Sequence, residues 1–138
     1  MSAQSILTFD FGTTRFGVAI GQTITGTASE LPAFAAKDGI PSWPAIDQLV
    51  QTWQPDLLIV GIPLNMDGSM SEMGLRADKF RRRLRARYEI DSIGFDERLS
   101  SFEAKGIALK QGKRNFKQHS VDSLAAKLIF ESWYQNQP

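Results

Sequence analysis

Apolar and polar positions change their period along this chain, and each change marks an element. Ile6-Leu7-Thr8-Phe9 is a short β-prone run closed by Asp10; Gly12-Thr13-Thr14 then separates it from Phe16-Gly17-Val18-Ala19-Ile20. This is the order of strand, turn and strand. From Gly21 to Ala36 turn residues alternate with short apolar runs, which predicts a third antiparallel strand around Gly26 to Phe34. Ile46, Leu49, Val50 and Trp53 follow helical spacing after Pro44, a suitable first-turn residue, and Pro55 stops the helix. Leu57-Leu58-Ile59-Val60 is continuously apolar, as a strand buried on both faces is, and Gly61-Ile62-Pro63-Leu64-Asn65 ends it in a loop.

A long loop from Asn65 to Gly74 leads into a second amphipathic helix, Leu75 to Tyr88, with Ala77, Phe80, Leu84 and Tyr88 on one face. Ile90 to Phe95 predicts another strand. A helix follows from about Ser100 to Lys110, and a final one from about Ser120 to Tyr134. Hairpin strands followed by alternating helix and strand predict an α/β architecture, a mixed five-stranded sheet with helices packed on its faces. No repeats, linkers or low-complexity segments interrupt residues 1–138, so a single domain is expected.

Composition narrows the chemistry. The chain has 138 residues, 42% hydrophobic and 22% charged, enough for one core. It has no cysteine and one histidine, which excludes disulfides and thiolate sites and disfavours a zinc centre, so any metal must be held by oxygen. The first residues, Met1-Ser2-Ala3-Gln4-Ser5, lack the basic and apolar regions of a signal peptide, and no apolar run is long enough to span a bilayer. A cytoplasmic protein with no membrane partner is expected. A formal net charge of +1 decides nothing about nucleic acid until its distribution is considered.

Carboxylates fall at element ends. Asp10 closes the first strand, Asp96-Glu97 close the last, and Asp122 lies in the first turn of the final helix. Ligand sites in sheets with parallel neighbours gather outside the carboxyl ends of strands, where Asp10 and Asp96-Glu97 could meet. Counting 100° per residue sets Asp122 at the margin of the apolar face, on one edge with Ala126, Ile129 and Trp133. The small Ala125 and Ala126 would let that helix end approach the sheet. Clustered carboxylates repel unless a cation sits among them, and Mg²⁺ or Mn²⁺ suits oxygen ligands. Each acid also has a plainer role: Asp10 bonding its own turn, Asp122 as a charge at a helix N-terminus capped by Ser120, Glu97 paired with Arg98. Strand alternation allows only one of Asp96 and Glu97 to face the site. Glu97 is the weaker-founded choice of the set, and Asp96 stays open.

The segments Asp10-Phe-Gly-Thr-Thr-Arg-Phe-Gly-Val-Ala, Val60-Gly-Ile-Pro-Leu-Asn-Met-Asp-Gly, Asp96-Glu-Arg-Leu-Ser-Ser-Phe-Glu-Ala and Val121-Asp-Ser-Leu-Ala-Ala together resemble the YqgF (RuvX-like) nucleases, across nearly the whole chain. The resemblance implies an RNase H-like fold, a cytoplasmic bacterial protein, and metal-dependent hydrolysis in 5′-end maturation of pre-16S ribosomal RNA; an older family label is Holliday junction resolvase. It implies Asp10, Glu97 and Asp122 as the catalytic, metal-holding set, with one or two divalent ions activating water. Thr14 stands where the family usually has a basic residue before Arg15.

Basic residues suggest where nucleic acid would lie. Arg76, Lys79, Arg81, Arg82, Arg83, Arg85 and Arg87 crowd the second amphipathic helix, offset only by Asp78 within that span. A solvated helix face accounts for them about as well as phosphate contact. Lys110, Lys113, Arg114 and Lys117 precede the last helix, with Phe116 available for stacking or as an apolar anchor, and His119 reads as a surface residue. Arg15, Asn65, Arg76, Arg82, Arg98, Lys113 and Arg114 are the candidate contacts, Arg98 through a forked hydrogen bond to phosphate. Precursor rRNA is the expected partner, with branched DNA the alternative, and the chain is expected as a monomer or weak homodimer. Three rivals remain. Asp10-Phe-Gly-Thr-Thr is similar to the phosphate-binding hairpin of sugar kinases, Hsp70 and actin, but those need two such domains. A non-catalytic RNA-binding assembly factor would use the basic helix alone, and a junction resolvase would need a symmetric dimer.

Overall fold

A computed structural model describes residues 3–99 and 121–137, with the side chains of residues 99, 121 and 122 outside that set. Its elements are β1 (Ser5–Asp10), β2 (Arg15–Gln22), β3 (Thr27–Lys37), β4 (Ile40–Pro41), α1 (Trp43–Trp53), β5 (Leu57–Ile62), α2 (Glu72–Tyr88), β6 (Ser92–Asp96), a one-turn 3₁₀ helix (Glu97–Leu99) and α3 (Val121–Gln135). The strands form one sheet in the order β4-β3-β2-β1-β5-β6. β1 pairs antiparallel with β2 and parallel with β5, and β5 pairs parallel with β6. The mixed α/β sheet expected from the sequence is present, with six strands in place of five.

The additional strand, β4, is two residues long, too short for any hydrophobic period to show. It forms because Asp38 (φ 50°) and Gly39 (φ 79°) both take the left-handed region and turn the chain back, pairing Ala36 with Pro41 and Lys37 with Ile40. β3 accordingly runs to Lys37, beyond the predicted Phe34. α1 starts at Trp43, with Ser42 as N-cap and Pro44 in the first turn, and ends where Gln54 turns left-handed before Pro55. α2 begins at Glu72, three residues before the predicted Leu75, because Ser71 caps it: its Oγ accepts from Gly74 N at 2.9 Å and donates to the Pro63 carbonyl. β6 begins at Ser92 rather than Ile90, since Glu89 ends α2 in a left-handed cap and the chain needs residues 90 and 91 to return to the sheet. The helix expected over Ser100 to Lys110 lies outside the described residues.

Two buried clusters occupy the two faces. Leu7, Phe9, Phe16, Val18, Leu58, Val60, Phe80 and Leu84 fill the layer beneath α1 and α2. Ile6, Ala19, Ile59, Phe95, Ala126, Ile129 and Phe130 fill the layer beneath α3. Strand residues enter the two clusters alternately, as the pleat requires. Among the described residues no helix is long and apolar enough to cross a membrane.

Candidate active site and nucleic-acid surface

Alternation along β1 sends Leu7 and Phe9 to the α1 and α2 side, and Ile6 to the α3 side. Thr8 and Asp10 therefore share the α3 side with Ile6. In β5 the same rule puts Ile59 and Gly61 on the α3 side, with Val60 opposite. Parallel pairing of Phe9 with Val60 brings the next residues, Asp10 and Gly61, level on neighbouring strands. A Cβ at Gly61 would lie 2.7 Å from Glu97 Oε1, 3.0 Å from Glu97 Cγ and 2.6 Å from Ile129 Cδ1. Glu97 thus folds back from the 3₁₀ turn over Gly61, into room that only a glycine leaves beneath α3. Asp10 and Glu97, 87 positions apart in the chain, lie on one side of the sheet at the ends of β1 and β6, the two strands that flank β5. Both are half-buried.

Asp96 takes a different course. Arg98 donates from Nη2 to Asp96 Oδ2 at 2.8 Å and from Nε to both carboxylate oxygens at 3.1 Å, and the Arg98 backbone N–H bonds Oδ1 at 2.9 Å. The Arg98 guanidinium beside it holds the Asp96 carboxyl below its ordinary range. Arg98 also donates to the Met66 carbonyl at 3.2 Å, so one side chain joins the end of β6 to the β5–α2 loop. The two adjacent acids are therefore distinct: Asp96 is consumed by Arg98, and Glu97 reaches the α3 side.

Asp122 stands in the first turn of α3, immediately before Ser123, and its side chain lies outside the described residues. Ser123 is fully buried; its Oγ donates to the Leu31 carbonyl at 2.6 Å and accepts from Val18 N at 3.4 Å. β2 is irregular between Phe16 and Val18, and the intervening Gly17 is the residue paired with Asp10. The start of α3 is thereby tied to the sheet one residue from Asp10's partner. Sequence reasoning passed over Ser123 and Thr8. A signal was present in both: a small hydroxyl residue three before Ala126 on the buried helix face, and a hydroxyl inside an otherwise apolar strand.

Thr8 is fully buried, and its Oγ1 has no hydrogen-bond partner among the described residues. A buried, unpaired hydroxyl costs about 1–3 kcal/mol. It lies two positions before Asp10 on the same face, so polar capacity is concentrated on the side that Asp10 and Glu97 occupy. Among the described residues no group of three Asp, Glu, His or Cys could hold a metal. Asp10 and Glu97 nonetheless offer only oxygen donors on that side, a donor chemistry that fits a hard divalent ion.

The expected nucleic-acid contacts are spread more widely. Arg15 opens β2 and is exposed. Asn65 is tied into its own loop, donating from Nδ2 to Ser69 Oγ at 3.0 Å and from its backbone N to Ser69 O at 2.9 Å; Met66 beside it is 98% exposed. Arg76 donates to the Asp38 carbonyl at 2.6 Å, and Arg82 pairs with Asp78 at 3.4 Å. Lys113 and Arg114, with Lys117, Phe116 and His119, lie outside the described residues.

Over residues 4–136 the chain matches the family model described as RuvX: Holliday junction resolvase. A protein of Saccharophagus degradans named "Putative pre-16S rRNA nuclease" is 50% identical over 139 residues, covering 100% of this chain and 98% of its own. A relative of the same name in Azotobacter vinelandii is 49% identical over 134 residues, covering 96% and 94%. Among solved structures, T. thermophilus RuvC in complex with a Holliday junction substrate aligns with a TM-score of 0.54 at 13% identity, covering 95% of this chain and 94% of its own. The fowlpox virus Holliday junction resolvase aligns at 0.55 and 12%, covering 95% and 97%. At that identity these structures establish the RuvC-like, RNase H-like fold expected from the sequence and nothing about substrate. With the family model spanning almost its whole length and relatives near half identical, the chain belongs to the RuvX family.

Proposed function

We propose that this protein is a nuclease that hydrolyses phosphodiester bonds of precursor 16S ribosomal RNA, at a site built from Asp10, Glu97 and Asp122. The observation that carries the reading is the delivery of Asp10 and Glu97 to one side of the sheet over Gly61, beneath the helix whose first turn holds Asp122. The names of the close relatives supply the substrate class. The three carboxylates would hold Mg²⁺ or Mn²⁺; when bound, a divalent ion supplies an activated water and offsets charge on the scissile phosphate.

The chain's own residues prepare that chemistry. Gly61 leaves room for Glu97 and Ile129, Ser123 anchors the start of α3, and the Asp96–Arg98 pair fixes the end of β6 from which Glu97 projects. The chain has no cysteine, so no thiolate competes with the carboxylates as nucleophile. Arg15 and those exposed cations of α2 that face no carboxylate would take phosphates outside the scissile bond.

The deciding experiment is cleavage of a labelled precursor-rRNA 5′ fragment, with a four-way DNA junction in parallel, by wild type and Asp10→Asn, each with Mg²⁺ or Mn²⁺ and with chelator. Metal-dependent RNA cleavage that is lost in the variant is the expected result. Junction cleavage in place of RNA cleavage would reassign the substrate, and full activity in Asp10→Asn would remove Asp10 from the site.

A further inference from the structure

On the face of the sheet opposite the acidic pair, the β3–β4 hairpin and α2 enclose a cleft of about 270 Å³. Its inner end is Phe11, the residue after Asp10, so the cleft and the acidic pair open at the same end of β1 from opposite sides. Phe11 packs edge-on to Phe16 at 5.1 Å, and the Arg76 guanidinium lies 5.9 Å over its ring. The hairpin wall is held in place: Gly39 N donates to Thr13 O and Ala36 N to Thr14 O, both at 2.8 Å. A Cβ at Gly39 would lie 2.4 Å from Arg76 Nη2, so the turn is shaped around that guanidinium. The cleft is preformed.

Its lining combines apolar and cationic side chains with one carboxylate, Asp38, which Arg76 pairs at 3.4 Å. Ile40, Trp43 and Phe80 give an apolar wall, with Ile40 59% exposed. Lys79 and Arg83, one helical turn apart on α2, give a cationic rim and are exposed. Among the described residues neither Lys79 nor Arg83 makes an ion pair, whereas Arg81, Arg82, Arg85 and Arg87 on the same helix each face a carboxylate. Cations left without acidic partners beside an exposed apolar wall match a ligand that offers phosphates and flat bases together.

Resting on the nuclease reading above, we propose that this cleft binds a single-stranded segment of the RNA flanking the scissile bond, with phosphates on Lys79 and Arg83 and a base or sugar against Ile40 and Trp43. A single strand is required because the bases of a duplex are stacked inward and present no free face to the apolar wall. Phe11, which follows Asp10, lines the cleft, so a strand leaving the acidic pair would pass the end of β1 to reach it.

The test is binding of a labelled single-stranded oligoribonucleotide in chelator, across a salt series, by wild type, Lys79→Ala/Arg83→Ala and the charge-matched Arg82→Ala/Arg85→Ala. All four positions are exposed, and thermal melts confirm that each variant folds. The cleft variant is expected to bind roughly tenfold more weakly, with the slope of log Kobs against log salt shallower by about 1.4, for two phosphate contacts at roughly 0.7 each. The charge-matched variant should lose clearly less, and cleavage by the cleft variant should show a raised KM more than a lowered kcat. Equal losses in the two variants, no loss in either, or duplex RNA competing as well as single-stranded RNA would overturn the cleft assignment. If wild type neither binds nor cleaves RNA, the nuclease reading and the cleft fall together; if wild type does both and Lys79→Ala/Arg83→Ala matches it, only the cleft falls.

Discussion

The layer between the sheet and α1 and α2 is built from large rings, whereas the layer beneath the start of α3 is built from small residues and short polar contacts. Phe80 sits 4.7 Å from Phe16, 5.6 Å from Phe9 and 6.1 Å from Trp43 by ring centroid, a mutually wedged group on the first face. On the second face Gly61 lies against Glu97, Ala19 and Ala126 pack in the buried cluster, Ser123 bonds the Leu31 carbonyl, and the rings of Phe130 and Tyr134 lie over Gly21 and Gly26. The difference is one of purpose. Large interlocked side chains supply burial, and small ones let a helix and a turn approach the sheet closely, as Glu97 does over Gly61. A protein arranged this way can lose chemistry without losing its fold, and lose stability without changing its site.

The largest effect should come from the small-residue face. Asp10→Asn removes one charge from the acidic site and should lower metal-dependent cleavage by about 10³-fold, several kcal/mol of transition-state stabilisation, with the melting temperature within a few degrees of wild type. A variant that melted far lower would merge the two roles the faces are argued to separate. Phe80→Ala breaks the ring face: loss of a large aromatic from a close-packed site should cost about 3–5 kcal/mol in urea unfolding, with kcat nearly retained at a temperature where the variant is folded and any functional change confined to KM, since Phe80 also lines the α2 cleft. A strong loss of kcat there would show that the site depends on the distant ring layer.

Gly61→Ala sharpens the comparison, because it changes one methyl on the small-residue face. The new Cβ would meet Glu97 Oε1 at 2.7 Å and Ile129 Cδ1 at 2.6 Å, so Glu97, α3 or both must move. Overpacking of this kind costs about 1–3 kcal/mol. The larger consequence is positional: a displacement of about 1 Å at a catalytic group can cost on the order of 10²-fold in rate. Steady-state cleavage at saturating divalent ion, beside a thermal melt, reads both. Wild-type kcat with a lowered melting temperature would mean that Glu97 does not act from above Gly61.

Much of this was legible in the sequence, for reasons that differ by element. β5 and the helical faces of α1, α2 and α3 announce themselves because burial on one or both sides forces a period or a continuous apolar run. Their caps set the residual errors: Ser71 extends α2 backward and Glu89 shortens the approach to β6. β4 escaped because two residues carry no period, although the Asp38-Gly39 turn that makes it is a hairpin dipeptide. At the site, element ends pointed to Asp10, Asp96, Glu97 and Asp122. Asp96 and Glu97 differ in partner, which alternation alone did not show: Arg98, two residues on, bonds the Asp96 carboxylate, and Glu97 lies over Gly61. The division of α2 cations into paired and unpaired was legible only for Arg81 and Arg82, which Asp78 reaches at helical spacing; the partners Asp38, Asp47 and Asp91 lie outside the helix.

The ring face has one further support, and its pH dependence gives the smallest effect. Asp47 on α1 accepts from Arg87 Nε and Nη2 at 2.9 Å each and from the Tyr88 hydroxyl at 2.6 Å, while Arg87 lies 5.0 Å over Trp43. Hydrogen bonds from Arg87 and then Tyr88 hold the Asp47 carboxyl down at about 2, against an ordinary 3.8. A carboxyl depressed in the folded state contributes stability that is fully present above its unfolded value and is lost as pH falls toward the folded one. The contribution of this α1–α2 clasp should therefore be constant from neutral pH down to about 5 and fade between about 4 and 2. The pair is half exposed, so the effect is modest and weakened by salt. Thermal melts of wild type and Asp47→Asn across that range should show wild type ahead at pH 7 and the gap closing below pH 4. A gap that stayed constant to pH 2 would place the stabilisation in the packing of Arg87 on Trp43 rather than in the charge it brings to Asp47.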